Sequence, residues 1–349
     1  MLNTENSIKK HANKQIISNE TYNLVDVIKF ICSYLVLSIH AFGNSSYSDN
    51  VILGNILFYL RNYIARIAVP FYFVAAGFFL FKKVDLDNFD FSVIKNYVFK
   101  ILRLYGTWMI LLFIPNCSYP LWYLGALVVA VLLVSFMLYK KVSIKNIVVL
   151  STLLYVIGLF GDSLGKLFDY KIFNYSLGLY NSLFKNTKNG VFFGFIFVVI
   201  GMIFAKKKFF INKKLAILGL ILSFVGLFFE VFITKIKDVS LDYSMRIFLL
   251  PLTFFLFYIA INIKLKPNKI YKKLRIIGMM VYYTHTLVQF LLLNEYLSIF
   301  VTKVFNVNFL GNSIVIYVLS IIITTIIAVI VERMSHKPKI GNVIKYLYS

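Results

Sequence analysis

The chain has 349 residues, 60% of them hydrophobic and only 15% charged, and its 37 Lys and Arg against 14 Asp and Glu give a net charge of +23. With a mean hydropathy of +0.81, it departs from soluble domains, which run near half apolar and a quarter charged, so an ordinary water-soluble enzyme is excluded. The positive charge would suggest a nucleic-acid partner in a soluble protein, and the loop charges below exclude that as well.

The first 20 residues are polar, and no small-residue cleavage site follows the apolar run from Leu24, so no cleavable signal peptide is expected. Apolar blocks between charge clusters then predict ten spans, at 22–42, 51–81, 97–115, 120–139, 146–161, 188–205, 213–234, 244–263, 274–293 and 311–332. The fifth is short for a bilayer. Segment 88–103 mixes Phe, Ile and Val with Lys95, Lys100 and Arg103, which predicts an amphipathic helix at the inner surface before the third span. Segment 166–187 reads as an outer loop or surface helix. Cys32 and Cys117 make no disulfide framework.

Charge sets the orientation. With the N-terminus inside, 26 of the 37 Lys and Arg fall in the cytoplasmic loops and tail, among them Lys82, Lys83, Lys140, Lys141, Lys206 to Lys208 and Lys264 to Arg275. This is the cytoplasmic excess that orients membrane helices. The expected fold class is therefore all-α, a polytopic bundle of about ten transmembrane helices with both termini in the cytoplasm. A polar N-terminus (1–20), one transmembrane domain (21–335) and a basic tail (336–349) complete the organisation, and the expected location is a bacterial plasma membrane.

Ionisable residues inside such a bundle are site candidates, because each is costly to bury in hydrocarbon. Asp26, Lys29, Ser33 and His40 share one face of the first span; Lys29 and His40 are eleven residues apart, which returns to within about 20°. Lys29 pairing with Asp26 is the plain structural alternative. In the second span Arg61 can snorkel to the interface, whereas Arg66 needs a carboxylate or phosphate partner, and Pro70 breaks a backbone hydrogen bond. Glu230, near the outer end of the seventh span, is the candidate acid, either orienting His40 or pairing with Arg66. His285 in the ninth span is a packing residue or a site residue. Trp122 and Tyr123 suit an aromatic belt, and Asn189 with Gly190 opens the sixth span as a cap. No metal-type spacing of His and Cys, Walker A or GxSxG motif is present.

These residues together resemble the integral membrane acyltransferase-3 family, a group that includes membrane O-acetyltransferases of bacterial surface glycans and the membrane part of vancomycin-resistance serine racemases. The resemblance covers about residues 20 to 335. It rests on Asp26 with Lys29 and His40, on Arg66-Ile-Ala-Val-Pro70-Phe-Tyr-Phe with Gly77, on Leu121-Trp122-Tyr123-Leu124, on Lys188-Asn189-Gly190 through Gly194, and on Leu274-Arg275 followed by Tyr282-Tyr283-Thr284-His285. Three positions depart from the family pattern: Lys29 stands where arginine is common, Ala76 where serine is, and Gly278 in place of another serine.

The resemblance implies an O-acyltransferase moving an acetyl group from cytoplasmic acetyl-CoA to a hydroxyl of a cell-surface glycan or its lipid-linked precursor. His40 would be the general base or acyl carrier, Arg66 the oxyanion stabiliser and Glu230 the partner of His40. Asp26, Lys29, Arg61, Trp122, Tyr123, Asn189 and His285 would line the substrate path. The expected partners are the lipid bilayer, acyl-CoA and the glycan acceptor, with no metal. The alternative is a transporter or flippase, for serine uptake or glycan export, using the same residues.

Overall fold

The structure is a computed structural model that describes residues 21–42, 51–113, 119–166, 187–293, 303 and 313–348 without 339. Cys117 and most of segment 166–187 lie outside the described residues. Among those described, the chain forms helices and no strand.

Ten helices follow the ten predicted spans. They are α1 (Asn23–Ala41), α2 (Val51–Phe81), α3 (Phe91–Phe113), α4 (Tyr119–Tyr139), α5 (Ile144–Leu159), α6 (Gly190–Lys206), α7 (Lys213–Ile236), α8 (Leu249–Asn262), α9 (Ile270–Leu293) and α10 (Ser313–Met334). A short α11 (Gly341–Lys345) ends the fold. Six of them (α1, α2, α4, α7, α9 and α10) are long and apolar enough to cross a membrane, while α5, α6 and α8 are shorter apolar helices. The chain is an all-α membrane bundle.

Two predicted boundaries move, each for a local reason. The amphipathic stretch and the third span are one continuous helix, α3, because no proline separates Phe91 from Phe113 and nothing else ends the helical hydrogen-bond ladder. The eighth span begins at Leu249 rather than 244, because Asp242, Ser244 and Arg246 are held in an irregular segment by side-chain contacts.

Close packing centres on α2 and α6, where Gly77 and Gly201 let two backbones touch. A Cβ on Gly201 would run into the Val74 carbonyl, and one on Gly77 would lie 2.5 Å from the Val198 carbonyl oxygen. Small residues at helix crossings serve this purpose in membranes, where packing rather than the hydrophobic effect joins helices. The faces of α7 and α10 are mostly exposed and apolar, with Leu222, Phe229, Ile233, Ile322 and Ile326 pointing outward, as lipid-facing helices require. α9 packs between α1 and α10.

Two helices lose regular geometry at one end of the bundle. In α2 a π-helical turn (Leu60–Ile64) and a 3-10 turn (Ala65–Ile67) precede Pro70, and α6 opens with a π-helical turn at Gly190–Gly194. Pro70 cannot donate to the Arg66 carbonyl, so the break sits in the turn before it.

Candidate functional site

Among the described residues, two cavities stand out along the bundle. The larger, about 590 Å3, is lined by residues early in α1, α3 and α9 and late in α2, together with Ser335, His336, Lys345 and Tyr348. Lys29, Lys100, Lys272 and Arg275 bring positive charge to it, and Tyr72, Tyr97, Tyr123, Tyr282 and Tyr283 supply an aromatic wall. This is the basic end of the bundle. Asp26 is held there by Arg275, whose Nε and Nη2 donate to its two carboxylate oxygens at 3.0 and 2.7 Å. The Asp26–Lys29 pair, the plain structural alternative, is not what forms: the planar guanidinium of Arg275 takes both oxygens at once, as an ammonium cannot. Lys29 instead faces the cavity.

The smaller cavity, about 50 Å3, lies at the far end and is lined by His40, Arg66, Pro120, Trp122, Tyr123, Lys188, Phe193, Ser244 and Tyr282, among others. Arg66 is 7% exposed. Its guanidinium donates to Ser244 Oγ at 2.7 Å and to Asn62 Oδ1 at 3.0 Å, and it pairs with Asp242 at 3.3 Å. Lys188 reaches the other Asp242 oxygen at 3.4 Å and stands 5.5 Å from the Trp122 ring centre. Ser244 in turn donates to Asp242 at 2.8 Å. Burial alone would raise the Asp242 carboxyl. Arg66 and Lys188, with the Tyr243 amide and the Ser244 hydroxyl, overcome that and hold it well below the usual carboxylate range.

His40 stacks on His285, with ring centres 5.2 Å apart and planes 30° from parallel, and meets the edge of Tyr119 at 5.0 Å. His285 is fully buried, and its Nδ1 lies 2.6 Å from the Tyr282 carbonyl oxygen. A carbonyl only accepts, so Nδ1 carries the proton and Nε2 presents a lone pair. That Nε2 has no hydrogen bond among the described residues. A buried acceptor left in this state calls for a donor.

The remaining expected site residues separate. Glu230 does not partner His40 or Arg66: its carboxylate accepts from the Ile247 and Phe248 amides at 2.8 and 3.0 Å, capping the start of α8. Those amides are unsatisfied donors at a helix N-terminus, which favours a carboxylate there. Asn189 likewise caps α6, accepting from Val191 and Phe192. Arg61 lies in the π-helical turn of α2 and lines neither cavity. Trp122 and Tyr123 do line the small cavity, and Tyr123 lines both.

The sequence did not single out Asp242, Ser244 or Asn62. Asn62 sits four residues before Arg66 on the same face and was legible in principle. Asp242 is 176 residues from Arg66 in an irregular segment, beyond any spacing rule. Beside it, Arg246 is fully buried and donates to Thr234 at 2.8 Å and Ser240 at 3.3 Å, tying that segment to α7.

The chain is 31% identical over 208 residues to an amino-acid racemase of Enterococcus faecalis, covering 52% of this chain and 28% of that protein. It is 27% identical over 368 residues to another amino-acid racemase of the same species, covering 92% of this chain and 47% of the relative. A serine/alanine racemase of Enterococcus gallinarum is 27% identical over 287 residues, covering 75% of this chain and 40% of the relative. The chain thus spans less than half the length of each of these relatives. No family model matches it, and no solved structure does.

These relatives overturn the expected activity. All three are named as racemases, which are isomerases, so neither acyl transfer nor the transporter or flippase alternative is supported. The expectations of an acetyl-CoA donor and a glycan acceptor belonged to the acyl-transfer reading.

Proposed function

We propose that this chain serves amino-acid racemisation as a membrane-embedded part that holds the amino acid in the small cavity beside His40 and Arg66. The observation that carries this is the similarity to an amino-acid racemase through 92% of this chain. In finer terms, the chain corresponds to the membrane part of vancomycin-resistance serine racemases, which belongs to the membrane group its motifs resemble, and it resides in a bacterial plasma membrane.

The chemistry of the cavity supports the assignment. An amino acid offers a carboxylate and an ammonium a few ångströms apart. Arg66 and Lys188 gather around one carboxylate, Asp242, so the cavity carries cationic excess to attract a second. His40 lines the cavity with His285 stacked behind it, and the Trp122 face adds a surface that already accommodates the Lys188 ammonium. A volume of about 50 Å3 leaves no room for a large side chain.

The test is binding of L- and D-serine and L- and D-alanine to the purified chain in lipid nanodiscs, read by calorimetry. Saturable binding is expected, weakened on the order of tenfold or more in Arg66→Ala, since removing one partner of a buried charge contact is costly. A folded parent protein that binds none of the four sinks the proposal. So does binding that Arg66→Ala leaves intact.

A further inference from the structure

The two cavities approach each other at three tyrosines. Tyr123 and Tyr282 line both, and Tyr72 lines the larger. Their ring centres form a triangle with sides of 5.9 Å (Tyr72–Tyr123), 6.2 Å (Tyr72–Tyr282) and 6.1 Å (Tyr123–Tyr282). Three rings at that spacing are in mutual contact and fill the neck between the cavities.

The three are not held alike. The Tyr72 hydroxyl donates to the Lys29 carbonyl in α1 at 2.8 Å, and the Tyr282 hydroxyl donates to the Pro120 carbonyl at 2.7 Å. Each ring is therefore tied to the main chain of another element. The Tyr123 hydroxyl makes no hydrogen bond among the described residues, and its ring is held by packing and ring contacts, including Phe73 at 4.7 Å. Tyr123 also sits just after the 3-10 turn Tyr119–Leu121 that opens α4, close to a helix end rather than locked in mid-helix. Moving Tyr72 or Tyr282 breaks a hydrogen bond, whereas moving Tyr123 breaks none among the described residues.

We infer that Tyr123 is the movable leaf of a gate between the two cavities, with Tyr72 and Tyr282 as its fixed frame. Closed, the gate separates His40 and Arg66 from the basic end. Open, it joins the 590 Å3 cavity to the small one, so that a solute entering among Lys100, Lys272 and Arg275 reaches His40. The inference rests on the geometry of the neck and holds whichever ligand occupies the small cavity.

Cysteine accessibility tests it. In a background carrying Cys32→Ala and Cys117→Ala, Val69→Cys reports on the small cavity and Ala76→Cys on the large one. Vesicles of both orientations are treated with a membrane-impermeant sulfonated methanethiosulfonate. With Tyr123 in place, Val69→Cys should react from the far side only and Ala76→Cys from the basic side only. Tyr123→Ala should raise the basic-side rate at Val69→Cys by an order of magnitude, and Tyr123→Phe should behave as the parent, because the hydroxyl makes no hydrogen bond among the described residues. Tyr123→Leu serves in place of alanine if that variant does not elute as a folded species. The inference is overturned if the small variant leaves the basic-side rate at Val69→Cys unchanged while Ala76→Cys still reacts. It is equally overturned if Val69→Cys reacts alike from both sides with Tyr123 intact.

Discussion

Asp162 shows how a single buried carboxyl sets a pH response. It follows α5 in a turn, accepts from the Met245 amide at 3.0 Å and is 2% exposed. Burial first, and then the charge of Asp242, push its carboxyl from an ordinary 3.8 up to about 7, against the pull of the Met245 amide, Arg66 and Arg246. Between those two values the folded protein keeps a proton that the unfolded chain has released. Stability should therefore fall as pH rises from about 4 to about 7 and level off above. Asp242 works in the opposite sense, but its contribution is lost only below the ordinary carboxylate range, outside that window. Melting temperatures of the detergent-solubilised protein from pH 4.5 to 8 should show the decline, and Asp162→Asn should flatten it. An unchanged slope in that variant would remove Asp162 as its source. Glu230 marks the limit of what helical periodicity reveals. Its depth near the outer end of α7 was legible from the charge pattern, yet its partner was not. Helical periodicity tells which residues share a face, but not which neighbouring helix that face meets. The carboxylate went to the nearest open helix terminus, at Ile247 and Phe248, and Arg66 went to Asp242.

Helices themselves were the most legible features, because apolar blocks bounded by lysines reflect the two solvents directly. Elements depart from that pattern where a side-chain network competes with helix, as at Asp242 to Arg246 before α8, or where no breaker interrupts a continuous run, as in α3. The contact between α2 and α6 is a further feature that hydropathy leaves unmarked. Gly77 and Gly201 look alike to Gly106 and Gly125 in a hydropathy profile, yet a Cβ on either of the latter meets nothing within 4 Å. The two sets should respond oppositely to the same change. Gly201→Ala places a methyl against the Val74 carbonyl and should lower the melting temperature or prevent accumulation of folded protein. Gly106→Ala in α3 should be neutral or stabilising by up to about 1 kcal/mol, the helix-propensity difference between the residues. Size-exclusion profiles after graded heating would read both, and equal behaviour would mean that α2 and α6 do not meet through these glycines.

Orientation belongs to the whole molecule, since no single helix determines it. Lys82, Lys83, Lys140, Lys141, Lys207, Lys208, Lys264 and Lys266 all fall in segments joining helices at the end that holds the large cavity, together with Lys345 of α11. The opposite end carries Lys166 paired with Asp238 at 2.9 Å, and Lys188 paired with Asp242. Its positive charges are fewer, and among the described residues these two are ion-paired. The C-terminal segment packs back on the basic end, where Trp108 Nε1 donates to the Leu347 carbonyl at 2.9 Å and Arg103 lies 4.8 Å from the Tyr346 ring centre. Lysine-rich connections remain cytoplasmic, so the large cavity should open to the cytoplasm and the His40–Arg66 cavity should face outward. In a cysteine-free background, Asp238→Cys should react with an impermeant maleimide in intact cells, and Lys266→Cys only after the membrane is disrupted. Both positions are exposed, so a failure to label reflects the side of the membrane rather than burial. The opposite pattern would invert the bundle and place the proposed amino-acid cavity at the cytoplasmic face, where it would draw on the intracellular pool rather than on amino acids outside.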